Sequence, residues 1–259
     1  MGSVRGDADI AKIGALVADP ARARILLALG DGRALPATVL ADEAGVAAST
    51  ASAHLSKLVA GRMLRVERYG RHRYFRVAGP EVGELIEALA RLAPPAAVRS
   101  LRQGTKAEAV RYARTCYDHL AGRLGTTLMD AMVQNGLLAG GDGTFEPGWP
   151  GRDRLAAPGF DHDYCVTGHG AEQLAAFGID FASLRERRRP LVRYCVDWSE
   201  QRHHLAGSLG AALAERMFEL GWLVRARRGR AVRITGDGRR GLQETFGIEP
   251  AARAGQLAL

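Results

Sequence analysis

Lysine is scarce in this sequence of 259 residues: Lys12, Lys57 and Lys106 are the only three, so nearly all of the positive charge is arginine. That bias partly reflects GC-rich coding, and the location of charge therefore says more than its total. Cysteine is scarce too. Cys116, Cys165 and Cys195 are too few and too far apart for a disulfide scaffold in a chain of this size, which fits a reducing cytoplasm. No apolar run approaches the ~20 residues that span a bilayer. Residues Met1–Gly6 lack the apolar core of a signal peptide, and Gly6 breaks the myristoylation pattern. The expected location is the cytoplasm, with no membrane partner. Enzyme signatures are missing as well: there is no phosphate-loop Gly-Lys-Ser/Thr, no Gly-x-Gly-x-x-Gly after a strand, no Gly-x-Ser-x-Gly elbow and no His-Glu-x-x-His helix. His203-His204 with Asp197 lacks a placed nucleophile. The expectation is a protein that is not an enzyme.

What is present is 47% hydrophobic and 6% aromatic, enough for two or three compact units. A net charge of +8 and a pI near 9.9 point to an anionic partner, nucleic acid first and an anionic membrane second.

From Ile10 to Leu29, apolar residues recur at helical spacing on either side of Asp19-Pro20, a good N-cap followed by a good first helical residue. Gly30-Asp31-Gly32 ends the second helix. A third helix after Pro36 ends at Gly45, and Ala48-Ser49-Thr50 opens a fourth with a Ser or Thr cap. This order is a helix-turn-helix. In the fourth helix Ala51, Leu55 and Leu58 share one face, and Thr50, Ala53, His54 and Lys57 are assigned to the other.

Leu64 to Val77 reads as two strands around Tyr69-Gly70-Arg71, which makes a wing. From Lys57 to Arg76 seven cationic residues (Lys57, Arg62, Arg65, Arg68, Arg71, Arg73 and Arg76) face the single acid Glu67. A bare charge run would be a solvated hairpin. Beside a polar recognition face it reads as a DNA contact.

Three segments, Ala18-Asp19-Pro20-Ala21-Arg22-Ala23-Arg24-Ile25-Leu26, Ser49-Thr50-Ala51-Ser52-Ala53-His54-Leu55-Ser56-Lys57-Leu58 and Gly70-Arg71-His72-Arg73-Tyr74-Phe75, resemble the ArsR/SmtB family of winged-helix regulators. The resemblance covers the first 95 residues. It implies a homodimer that sets one recognition helix per protomer into successive major grooves of a palindromic operator, and leaves the DNA when a ligand binds. Ser49, Thr50, Ser52, His54, Lys57, Arg71 and Arg73 are the DNA-binding candidates. The chain departs from the metal-sensing members: Leu35-Pro36-Ala37-Thr38-Val39-Leu40-Ala41 has no thiol where theirs carries one, and the helix near Glu81 to Leu92 has no His. Sensing has to lie further along.

Pro94-Pro95 breaks the chain, and a duplication follows. His119-Leu120-Ala121-Gly122-Arg123-Leu124-Gly125 recurs as His204-Leu205-Ala206-Gly207-Ser208-Leu209-Gly210, a shift of 85. Val166-Thr167-Gly168 matches Ile234-Thr235-Gly236, a shift of 68, so the first copy holds 17 extra residues, placed at the Gly- and Pro-rich stretch 140–159. The expected fold is mainly α with small β wings (α+β): a winged helix-turn-helix over 1–95, then two degenerate winged-helix-like repeats over 96–190 and 191–259 for sensing and dimerisation.

Ligand-binding candidates in the repeats are Cys116, Tyr117, His119, Cys195, Asp197, Trp198, His203 and His204, with Asp118 beside them. Cys, His and Asp together suit zinc or copper, a thiol near Arg114 or Arg193 could ionise and sense oxidants, and Tyr117 and Trp198 favour an organic effector in a groove between the repeats. No Cys-x-x-Cys or His-x-x-x-His pair selects among these, and a buried structural thiol is the plain alternative. The function expected is a sequence-specific DNA-binding transcriptional regulator released by a ligand. Its competitors are a non-specific architectural DNA-binding protein and a thiol- or metal-responsive switch of the same fold.

Overall fold

A computed structural model of the chain describes residues 7–70, 72–94, 97, 100–145, 164–227 and 229–251. They fall into two units, 1–83 and 84–259.

In the first unit α1 (Ile10–Val17), α2 (Pro20–Leu29), β1 (Leu35–Pro36), α3 (Ala37–Ala44), α4 (Ala48–Ala60), β2 (Leu64–Tyr69) and β3 (His72–Val77) follow one another. Asp19 accepts hydrogen bonds from the backbone N–H groups of Ala21 and Arg22, each at 2.9 Å, and Pro20 starts α2, as the sequence predicts. Two arginines close helix ends that would otherwise leave carbonyls without donors. Arg22 donates to the Leu16 and Ala15 carbonyls at 2.6 and 2.7 Å, and Arg24 to Ala44 at 2.8 Å. The start of α4 departs from expectation, because its N-cap is Ala47 and no side chain caps it. Ser49 and Thr50 lie inside the first turn and are exposed there. Ile25, Leu29, Leu40, Ala51, Leu55 and Leu58 form the buried centre. The sheet is antiparallel in the order β1-β3-β2, and Tyr69 opposite His72 leaves a two-residue turn in which Gly70 takes φ 58°.

Helix α5 (Pro80–Leu92) is followed in the second unit by α6 (Leu101–Tyr112), β4 (Arg114–Cys116), β5 (His119–Ala121), α7 (Gly122–Gln134), β6 (Leu138–Ala139), β7 (Cys165–Val166), α8 (Gly168–Ala176) and α9 (Phe181–Arg185). Then come β8 (Arg193–Val196), β9 (His203–Ala206), α10 (Gly207–Glu219), β10 (Leu223–Arg225), β11 (Val232–Ile234) and α11 (Gly236–Phe246). The duplication is structural: hairpin, helix, hairpin, helix occurs twice. Helix, hairpin, helix is also the order of α4-β2-β3-α5, with a β-hairpin in front where the first unit has helices. Thr167 and Thr235 play the same part in each copy. Their hydroxyls accept from Gly170 and Gly238 N–H at 2.9 Å and donate to the Gly136 and Gly221 carbonyls at 2.6 and 2.8 Å.

The copies interlock, with α7 packed on β9 and α10 on β5. The repeated glycines explain the repeated motif. A Cβ on Gly125 would lie 2.6 Å from the Leu120 carbonyl oxygen and 3.5 Å from His204 Cβ, and one on Gly210 would lie 2.6 Å from the Leu205 oxygen and 3.3 Å from His119 Cβ. Each copy needs glycine first because the carbonyl of its own preceding strand lies too close for a Cβ, with the other copy's histidine packed just beyond. Leu124, Leu128 and Met132 from one repeat and Leu209, Leu213 and Met217 from the other belong to a single core.

The stretches 96–190 and 191–259 therefore share one core. The division between units falls inside α5 rather than at Pro94-Pro95, because Glu87 of α5 is buried with the second unit, ion-paired to Arg230 and 3.7 Å from Arg114. Most of the 17-residue insertion falls in 146–163, outside the described residues. Among the described residues no helix is long and apolar enough to cross a membrane.

Candidate functional site

The first candidate surface is on α4 and the wing. Ser49, Thr50, Ser52 and Lys57 are exposed on α4, opposite the buried Ala51, Leu55 and Leu58. His54 is not on that surface. Its side chain is only 15% exposed, with Nδ1 3.8 Å from the Asp19 carboxylate that caps α2. The reason is periodicity: His54 is three residues after Ala51 and four before Leu58, so it lies on the inward stripe and seats α4 against α2.

In the wing, Arg65 and Arg76 lie 3.4 and 3.2 Å from Glu67 and neutralise it. Arg73 is exposed as expected. Arg71 lies outside the described residues. Arg68, part of the basic run but outside the set of DNA-binding candidates, is directly opposite Arg73 in the ladder and exposed beside it. No carboxylate is in ion-pair range of either among the described residues. Like charges opposite each other in a sheet are unfavourable unless an anion lies across them, and a phosphate backbone supplies one.

The second candidate site lies in the second unit, where two hairpins bring thiols and imidazoles together. Cys116 is opposite His119 across the β4-β5 turn, and Cys195 is opposite His204 across β8-β9. One ligand atom from each of the four residues falls within 4.8 Å of the others. The sequence repeat aligned the histidines but hid the equivalence of the cysteines, because the second hairpin has a longer loop. His119 Nδ1 faces Asp118 Oδ1 at 3.2 Å, and Arg189 holds that carboxylate with both ends of its guanidinium. His204 Nδ1 is 3.4 Å from Asp197 Oδ2, within ion-pair range but without hydrogen-bond geometry. Nε2 of both histidines is buried without a hydrogen-bond partner.

Electrostatics follow from this crowding. Burial opposes ionisation of Asp118, but His119 and Arg189 outweigh it and hold its pKa at about 2. Asp197 is likewise held far below the carboxylate range: against burial stand His204, Arg114 and the Gly122 N–H, which donates at 2.6 Å. Burial disfavours the His204 imidazolium, yet Asp197 and the Cys116 sulfur raise its pKa to about 9. The Cys195 thiol beside it and burial push Cys116 up to about 12. The expectation of an ionised, oxidant-sensing thiol near Arg114 is thus reversed for Cys116. Arg114 instead donates to Asp197 at 2.9 Å and stacks on Trp198, 4.5 Å from the ring centre.

The remaining candidates have other roles. Asp197 is a buried hub that also accepts from the Ser199 and Glu200 N–H groups. Trp198 stacks with Arg111 and Arg114, 5.1 and 4.5 Å from its ring centre. His203 points to the opposite side of β9 from His204, stacking on Tyr194 with 4.0 Å between ring centres and meeting the Tyr164 hydroxyl at 2.9 Å. Tyr117 forms the tip of the β4-β5 turn in the left-handed region, φ 57°. Between the repeats, Tyr164, Cys165, Val166, Phe181 and Arg185 of the first and Leu191 and Val192 of the second line a cavity of about 270 Å³, whereas the seam between α7 and α10 is closed. Leu120, Gly125, Leu128, Leu205, Gly210 and Leu213 meet there and leave no room for a water-sized molecule.

Residues 17–67 match the family model HTH_20, a helix-turn-helix domain. Over 241 residues the chain is 40% identical to the uncharacterized HTH-type transcriptional regulator YdfF of Bacillus subtilis (strain 168), a match that covers 93% of this chain and 98% of that protein. Solved structures with similarity include NolR from Sinorhizobium fredii, at 24% identity over 36% of this chain and 100% of that one, TM-score 0.31. Another is the homodimeric winged helix-turn-helix DNA-binding domain Mb0332 from Mycobacterium bovis, at 30% identity over 34% and 88%, TM-score 0.30.

Proposed function

Since the chain belongs to the family of HTH-type transcriptional regulators, DNA-binding proteins and not enzymes, we propose that it is a sequence-specific repressor. In this reading it holds a palindromic operator as a homodimer and leaves it when the second unit takes up an effector. The observation that carries the reading is the exposed polar face of α4 beside the facing arginines Arg68 and Arg73. α4 offers short polar side chains to base edges, and the wing offers cations to phosphates. Dimerisation is supported by apolar residues left outside: Ile10 on α1 is 77% exposed and Leu92 on α5 is 82% exposed.

Fluorescence anisotropy of the full chain on duplexes from its own upstream region, against shuffled duplexes, tests the reading. Preference for one site by a factor on the order of a thousand or more is expected, and equal affinity for all sequences would sink it. Replacing Arg68 and Arg73 together by Ala should weaken every duplex alike and reduce the salt dependence by about one unit of slope per lost phosphate contact.

A further inference from the structure

We propose that Cys116, His119, Cys195 and His204 bind one tetrahedrally coordinated divalent transition-metal ion of the zinc class, held across the two repeats of the second unit. This names the effector class of the regulatory reading above and rests on that reading only for the DNA response. Two thiolates and two imidazoles are a donor set that selects such ions over hard cations. A four-coordinate ion with bonds of about 2.0–2.3 Å sets its ligand atoms about 3.3–3.8 Å apart. The quartet lies within 4.8 Å, so closing on the ion takes a movement of about one ångström.

Three further observations converge. Both Nε2 atoms are buried and lack a hydrogen-bond partner, a condition native cores rarely tolerate. Behind each ring a carboxylate faces Nδ1, Asp118 for His119 and Asp197 for His204, and each carboxylate is itself fixed by an arginine. A carboxylate at Nδ1 leaves Nε2 as the ligand atom and sets the ring's orientation, which is the outer-shell arrangement of histidine metal sites. Charge also balances. Asp118, Asp197 and Glu87 are each paired with one guanidinium, from Arg189, Arg114 and Arg230. A divalent ion with two thiolates adds no net charge to this buried cluster, whereas a monovalent ion would leave one negative charge. Loading forms two metal–sulfur and two metal–nitrogen bonds, displaces the ion's water ligands, and releases to solvent both thiol protons and any proton carried on a ligating imidazole nitrogen. Access is past Cys195, the half-buried member of the set.

The test uses the full chain, stripped of metal by a chelator in reductant, with all three thiols confirmed free by titration. One equivalent of Zn2+ should be retained against a competing chelator. Co2+ should give thiolate charge-transfer bands and the intense visible bands of a tetrahedral ion. Cys116→Ser and Cys195→Ser should each weaken binding on the order of a hundredfold or more, while Cys165→Ser, at an exposed position outside the quartet, should bind as the parent does. If Cys116→Ser fails to melt cooperatively, Cys195→Ser and the parent Co2+ spectrum decide. Fully reduced protein that retains no Zn2+, a Co2+ spectrum without thiolate bands, or equal losses in Cys165→Ser and Cys195→Ser would overturn the site. One bound ion with unchanged operator affinity would uphold the site and overturn only the effector role.

Discussion

Two side chains three positions apart on α4 should behave oppositely when truncated. Lys57 is exposed and His54 is tucked against Asp19. Lys57→Ala should weaken DNA binding with an unchanged melting temperature, by roughly 1–3 kcal/mol if the residue reads a base edge. His54→Ala should lower the melting temperature and leave the non-specific affinity of the folded protein alone. Paired melts and anisotropy titrations check both, and loss of DNA binding without loss of stability in His54→Ala would return that residue to the interface. At the second site Asp118 acts through His119. Asp118→Asn should keep the tetrahedral Co2+ spectrum while weakening metal affinity by about 10- to 100-fold. A merely structural Asp118 would change the melting temperature and leave that affinity as it was.

Among the elements, the glycines that let the β5 and β9 carbonyls lie against the helices that follow them are the sensitive points. Gly125→Ala places a methyl 2.6 Å from the Leu120 carbonyl oxygen and against His204. Overpacking of this kind costs about 1–3 kcal/mol. It should lower the melting temperature and disturb the Co2+ spectrum together, since the Leu120 carbonyl that must give way directly follows His119. Gly136→Ala, at an open site where a Cβ meets nothing within 4 Å but φ is +67°, should cost only the backbone strain and leave the spectrum intact. The small-residue character of α7 and α10 was readable in the sequence. Its cause was not, because the approach of the Leu120 and Leu205 carbonyls depends on how each hairpin folds back on its helix.

For the molecule as a whole, pH should act on the metal-free protein from both sides. Asp118 is held at about 2 in the fold, below its ordinary 3.8, so its contribution is present above 3.8 and is lost as pH falls toward 2. His204 is raised from 6.5 to about 9 by Asp197 and Cys116, so its contribution is full below 6.5 and is lost as pH rises through about 9. Metal-free melts should therefore be highest between these limits. Zinc should bind more tightly as pH rises over the same alkaline range, because a ligating His204 must shed its proton. A zinc affinity independent of pH between 6.5 and 9 would contradict that coupling. Asp118→Asn should shrink the acid limb and leave the part that Asp197 and Glu87 contribute.

Local chemistry fixed much of this protein in one dimension. Asp19-Pro20, Gly45, Gly70 and the apolar stripe of α4 each act over a few residues, so the helix-turn-helix and the wing were legible, as was the existence of a duplication. His54 is legible too, since its i−3 and i+4 neighbours, Ala51 and Leu58, are buried, although the polar pattern of α4 places it on the outer face. The loss of Arg65 and Arg76 to Glu67 and the facing of Arg68 by Arg73 depend on strand register. Tertiary structure alone decided the second site. The cysteines are 79 positions apart and the histidines 85, so a linear repeat aligns only one pair. Interlocking of the two copies is what brings Cys116, His119, Cys195 and His204 within 4.8 Å of one another and sets Asp197 and Trp198 against the arginines of the buried network.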